Sequence, residues 1–185
     1  MRREKLHSCN ARLRRDSRPE PQYNRRGMPT EVNLDAIIEA LEMANDSLSS
    51  YLDVETGEVR SITEEEFDLA GGPQAVMEDL PDWQSEAVKL ARDVREQEGK
   101  RYLALPDQFD VHEWAIMDRF SETLKDAPMR NDFKRGIRGA GAFRLFKHLL
   151  TEYNLWDAWN RFKQVELRQI AIEWCEENRI TYRQV

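Results

Sequence analysis

One short stretch limits the folds open to this chain more than any other. In "SSYLDVETGEVRSI", Ser49 to Ile62, two segments of alternating tendency flank Glu55-Thr56-Gly57. A glycine at that place suits the left-handed position of a three-residue hairpin loop. A hairpin alone is marginal in water, and becomes viable with a third strand and a helical cover. "RYLALP" supplies a third strand at about 101–105, ended by Pro106. The remaining patterned segments repeat with a helical period. The expected class is therefore α+β: a mostly helical single domain with a small antiparallel sheet, made of a hairpin at about 49–62 plus a strand at about 101–105.

The helices are delimited by their caps and stops. "VNLDAIIEALEMAN" places apolar residues at 34, 37, 38, 41 and 44, one buried face, with Asn33 as N-cap. Thr63 and Glu66 have capping-box spacing for a short helix that ends at Gly71-Gly72-Pro73. Asp82 is expected to cap "DWQSEAVKLARDVREQEG", whose stripe is Trp83, Ala87, Leu90, Ala91 and Val94. "DVHEWAIMDRFSETL" reads as one helix with box spacing at Asp110 and Glu113. Pro128 suits the first turn of a helix running to about Ile137. After a glycine break come "AFRLFKHLLTEY" and a last helix with Trp159, Phe162, Ile170 and Trp174 near one face.

Charge divides the 185 residues unevenly. Residues 1–28 hold nine Arg or Lys and three Asp or Glu, a net +6, whereas residues 29–185 hold 19 and 32, a net −13. The first 28 show almost no apolar periodicity and read as a disordered tail ahead of a domain at 29–185. Two readings of the tail stand: a basic arm for nucleic acid or acidic lipid, or an upstream stretch before translation starting at Met28. No apolar run is long enough to span a bilayer, and the arginine-rich N-terminus is not a secretory signal. Cys9 and Cys175 are too few and too far apart for a disulfide framework or zinc site. The expected location is cytoplasmic.

The chemistry-bearing stretch is "NDFKRGIRGAGAFRLFKHLL", Asn131 to Leu150. From Arg130 to Lys147 there are six cations and one acid, Asp132. A dinucleotide fingerprint is excluded, because the glycines run Gly136-x-x-Gly139-x-Gly141 and a helix precedes them. A Walker loop is excluded as well, since Ala142 and Phe143 stand where Lys and Ser or Thr are needed. "IRGAG" resembles the turn of a helix-hairpin-helix, although Leu145 stands where that motif prefers a small residue. In that reading the glycines allow close backbone approach and the amides of the following helix face a phosphate. The candidate nucleic-acid or anion-binding set is Arg130, Lys134, Arg135, Arg138, Gly139, Gly141, Arg144 and Lys147. The plainer alternative makes Phe133, Ile137, Phe143 and Phe146 core, and pairs the cations with nearby acids.

Other constellations are weaker. His148 and Glu152 lie four apart on a helix but lack a third ligand, so no metal or cofactor is expected and a surface pair is the better reading. Glu64-Glu65-Glu66 suits a helix N-terminus. Cys175 lies beside Glu176, which disfavours a thiolate and suits a buried structural cysteine. Trp156, Trp159 and Trp174 are more simply core than a stacking platform. No catalytic residues stand out. An enzyme of hydrolase type would need a pocket joining His112 or His148 to two carboxylates.

The ordered set "SSYLDVETGEV", "LPDWQ", "LPDQFDVHEWAIMDRF", "GAGAFRLFKHLL" and "WNRFKQVELRQIAIEWCEEN" resembles the bacterial uncharacterised protein family 0158 over roughly Val32 to Ile180. The resemblance implies an intracellular bacterial single-domain protein and carries no reaction or catalytic residues. The reading is a small binding or regulatory module that grips nucleic-acid backbone through the glycine turn and basic patch. The alternative is a protein-interaction module, with an acidic protein partner or a second copy of the chain.

Overall fold

A computed structural model describes residues 31–72 and 80–184. The tail, Cys9 and Pro73 lie outside the described residues. The chain opens with β1 (Val32–Asn33) and α1 (Leu34–Met43), then the hairpin β2 (Leu48–Asp53) and β3 (Val59–Thr63). It continues through α2 (Glu64–Ala70), α3 (Asp82–Gln97) and β4 (Tyr102–Ala104). Five further elements follow: α4 (Gln108–Val111), α5 (Glu113–Thr123), α6 (Ala127–Gly136), α7 (Ala142–Glu152) and α8 (Trp156–Glu177). The last is β5 (Tyr182–Arg183).

The expected sheet is present, ordered β3-β2-β4 and antiparallel throughout. Leu52 faces Val59 on one side and Leu103 on the other. The loop is longer than expected, residues 54–58. The Asp53 amide donates to the Glu58 carbonyl (2.9 Å), and Gly57 takes φ 75°. The lengthening follows from Asp53, whose carboxylate accepts from the Glu55 amide (2.9 Å) and folds the chain back locally. A parallel β1–β5 pair, Val32 opposite Tyr182, was not foreseen; it ties the start of α1 to the end of α8.

Both faces of the sheet are covered, which follows from the two-residue period of a strand. Tyr51, Ile62 and Tyr102 pack with Val88, Ala91 and Val94 in a smaller core under α2 and α3. Leu52 and Leu103 point the other way, into the main core with Ile37, Leu41, Phe120, Phe133, Phe146, Trp159 and Leu167. That core is aromatic at its centre. Phe120 stands edge-on to Phe146 (6.0 Å), Trp159 (5.3 Å) and Phe162 (5.5 Å), the arrangement favoured by ring quadrupoles.

Local signals held at several helix starts. Asn33 Oδ1 accepts from the Asp35 amide (3.0 Å), and Thr63 and Glu66 form their reciprocal box. Three details differ. Pro81, not Asp82, precedes α3 at its N-cap, and Trp83 is 71% exposed, so the buried stripe is Val88, Ala91 and Val94. The box near residue 110 is Asp107 with Asp110, starting the short α4 a turn early. His112 then takes a left-handed conformation, φ 47°, and splits the expected single helix into α4 and α5.

Candidate functional site

The glycine stretch lies between α6 and α7. Asp126 caps α6 by accepting from the Met129 amide (2.8 Å), and Pro128 sits in its first turn. Phe133, Ile137, Phe146 and Leu150 are buried, so the inner faces of both helices belong to the main core. At Gly136 the helices approach so closely that an added Cβ would lie 3.0 Å from Leu149 Cδ1. The chain then reverses through Gly139 (φ 92°) and Gly141 (φ 81°). Side chains other than glycine rarely adopt such values. The first amides of a helix have no acceptor within it, and at α7 no side chain caps them and no acid lies in the first turn.

The eight sequence-stretch candidates divide. Lys134 reaches Asp118 (2.7 Å) and Glu122 (2.9 Å) on α5. Arg135 pairs with Asp132, one turn earlier on α6. Arg130 donates to the Leu124 carbonyl (2.9 Å) and helps close the α5–α6 connection. Arg138, Arg144 and Lys147 are exposed and have no ion pair among the described residues. They surround Gly139 and Gly141 on the turn and the first two turns of α7. Asp132 also accepts from the Tyr153 hydroxyl (2.6 Å), and this bond, with the Arg135 pair, holds its carboxyl below the usual range.

An unanticipated feature adjoins the turn. The Trp114 indole N–H donates to the Ile137 carbonyl (2.8 Å), which pins α5 beside the residue before Arg138. Trp114 (48% exposed), Phe109 (69%) and Phe143 (46%) line one groove of about 400 Å³. Phe143, a core residue in the plainer alternative, is instead on the outer face of α7. The left-handed His112 lies between Phe109 and Trp114, and it also lines the groove. Apolar spacing alone cannot separate such residues from core, because both belong to a helical stripe.

The groove also holds Glu42, Asp46 and Glu113, so it does join His112 to carboxylates. Each of those acids has another partner: Glu113 with Lys163 Nζ (3.0 Å), Glu42 with the Gln164 side-chain amide (3.0 Å), and Asp46 with the Gln108 side-chain amide. None of them is bonded to His112 among the described residues, and an acid–base pair is not assembled. His148 and Glu152 form a surface pair at 3.8 Å. Cys175 is fully buried, and burial, aided by Glu176, pushes its thiol up to about 11, far from an activated thiolate. Trp159 is core, and Trp156 donates to the Thr151 hydroxyl (3.0 Å). No helix among the described residues is long and apolar enough to cross a membrane.

The fold is that of a mostly helical α+β protein with a small antiparallel sheet. The chain belongs to the Uncharacterised protein family (UPF0158), whose model matches residues 28–184. It is 24% identical over 153 residues to a UPF0158 protein of Pseudomonas aeruginosa, covering 82% of this chain and 86% of that relative. No solved structure matches it.

Proposed function

We propose that this protein is a binding module that holds nucleic-acid backbone at the α6–α7 turn. The observation that carries the reading is the set Arg138, Arg144 and Lys147, exposed without an acidic partner among the described residues around a helix start that has no cap. Arg130, Lys134 and Arg135 belong to the wider basic stretch, but Lys134 and Arg135 are ion-paired to Asp118, Glu122 and Asp132, and Arg130 is bonded to the Leu124 carbonyl. They act as supports for the turn rather than as contacts. The positive φ values at Gly139 and Gly141 remove side chains where a backbone would approach. Contacts of this kind position a phosphate chain without reading its sequence.

The test is fluorescence anisotropy with labelled duplex DNA, single-stranded DNA and RNA across a salt series. The comparison is Arg138→Glu/Arg144→Glu/Lys147→Glu, with folding checked by circular dichroism. On duplex DNA the expected log–log salt slope is about −0.9 per phosphate neutralised, with binding lost in the folded triple variant. Failure of all three nucleic acids to bind at low salt overturns the reading.

A further inference from the structure

The aromatic groove is a second surface with a different chemistry. Its exposed rings come from three places: Phe109 on α4, Trp114 on α5 and Phe143 at the start of α7. Leu41, Ala44 and Val111 complete the apolar lining. Large aromatic side chains left open in one concave site are the usual anchors of a protein interface. Three carboxylates, Glu42, Asp46 and Glu113, stand with them against a single lysine, Lys163. Such a lining repels phosphate, so the nucleic acid proposed for the turn does not extend into it. We infer that the groove docks a short amphipathic segment of another protein, one with large apolar side chains on one face and lysine or arginine beside them.

The placement of charge also orients the segment. Glu42 and Asp46 come from the end of α1 and the loop after it, whereas Arg144 follows Phe143 on α7. Glu113, beside Trp114, is already paired with Lys163 (3.0 Å), so the partner's cations lie toward Glu42 and Asp46, and its apolar anchors toward Trp114 and Phe143. Trp114 is held in position by its bond to the Ile137 carbonyl, which lowers the ordering cost of the contact. His112, in a left-handed conformation between the two anchoring helices, keeps Phe109 and Trp114 on the same groove.

A labelled peptide with leucine and lysine at helical spacing serves as the probe, read by anisotropy against the full chain. Its control replaces every lysine by glutamate. Phe109→Glu/Phe143→Glu is the informative variant, since both rings are largely exposed and the change adds negative charge. Plain electrostatic adsorption of a basic peptide would tighten in that variant. Docking in the groove predicts binding of the basic peptide, none of the acidic control, and at least about tenfold weaker binding by the variant. Glu42→Lys/Asp46→Lys weakens the basic peptide in the same way. Equal or tighter binding by Phe109→Glu/Phe143→Glu overturns the inference, as does failure of the basic peptide to bind. A groove variant that loses labelled oligonucleotide while keeping the peptide also overturns it. The turn variant used for nucleic acid leaves the peptide in place, so failure of either surface is seen separately.

Discussion

Asp53 is buried at the end of β2, where burial by itself would raise its carboxyl. Arg101 reverses that, with Nε on Oδ1 (3.1 Å) and Nη2 on Oδ2 (2.8 Å), and the Glu55 amide adds a third donor, so the group is held below the usual carboxylate range. A carboxyl depressed in the fold stabilises it above the unfolded value of about 4, and that contribution disappears as pH falls through the lower folded value. Asp53→Asn is thus expected to cost about 1.5–3 kcal/mol at neutral pH, and the gap should close below about pH 4 in urea titrations. A gap constant with pH would show that the charge is immaterial. Gly139 makes a separate case: a Cβ there meets no atom within 4 Å, so the penalty for Gly139→Ala is one of backbone conformation alone. At φ 92° it should lower stability by about 1–2 kcal/mol, read from chemical denaturation, without disturbing the core.

Asp126, Pro128 and the buried Phe133 set where α6 begins and which way it faces, and Gly139–Gly141 set where α7 begins. Asp126→Ala removes the cap bond to Met129 and should cost about 1 kcal/mol. Phe146→Ala takes a ring out from among Phe120, Phe133 and Trp159, and should cost about 3–5 kcal/mol. Thermal denaturation orders the two, and a smaller loss for Phe146→Ala would place the main core elsewhere. These elements were legible before any coordinates because their signals are local: a cap three residues from its amide, a proline in a first turn, a glycine that ends a run. The β1–β5 pair was not, since two residues carry no alternation and their partners lie at opposite ends of the described chain. Nor were the Lys134 pairs legible, because Asp118 and Glu122 belong to a different helix. Lys134 could be separated from the exposed cations only after α5 had been placed against α6. Phe109, Trp114 and Phe143 were hidden for the opposite reason: their spacing fits a core stripe, and only the left-handed His112 and the outer face of α7 expose them.

The molecule as a whole is a sheet between two unequal cores. The smaller one, around Tyr51, Ile62, Val88 and Tyr102, is covered by α2 and α3, with Arg95 donating to the Phe67 carbonyl (3.0 Å) at its edge. The larger one joins α1, α5, α6, α7 and α8. Regions with less buried apolar contact open at lower free energy, so amides of α2 and α3 should exchange with deuterium before those of α1 and α8. Simultaneous exchange would mean that the two cores unfold as one unit. The two proposed surfaces both rest on the larger core, at the end where α5, α6 and α7 meet, which gives them a rigid base. Their side chains differ in charge, with exposed cations at the turn and carboxylates in the groove, so the two proposed ligands would not compete. Amide chemical-shift mapping of the full chain titrated with single-stranded DNA examines the turn most directly. The account predicts that the largest shifts fall on Arg138 to Arg144, with Lys134 and Arg135 little affected. Binding that leaves those amides unmoved, or moves α3 instead, would contradict it.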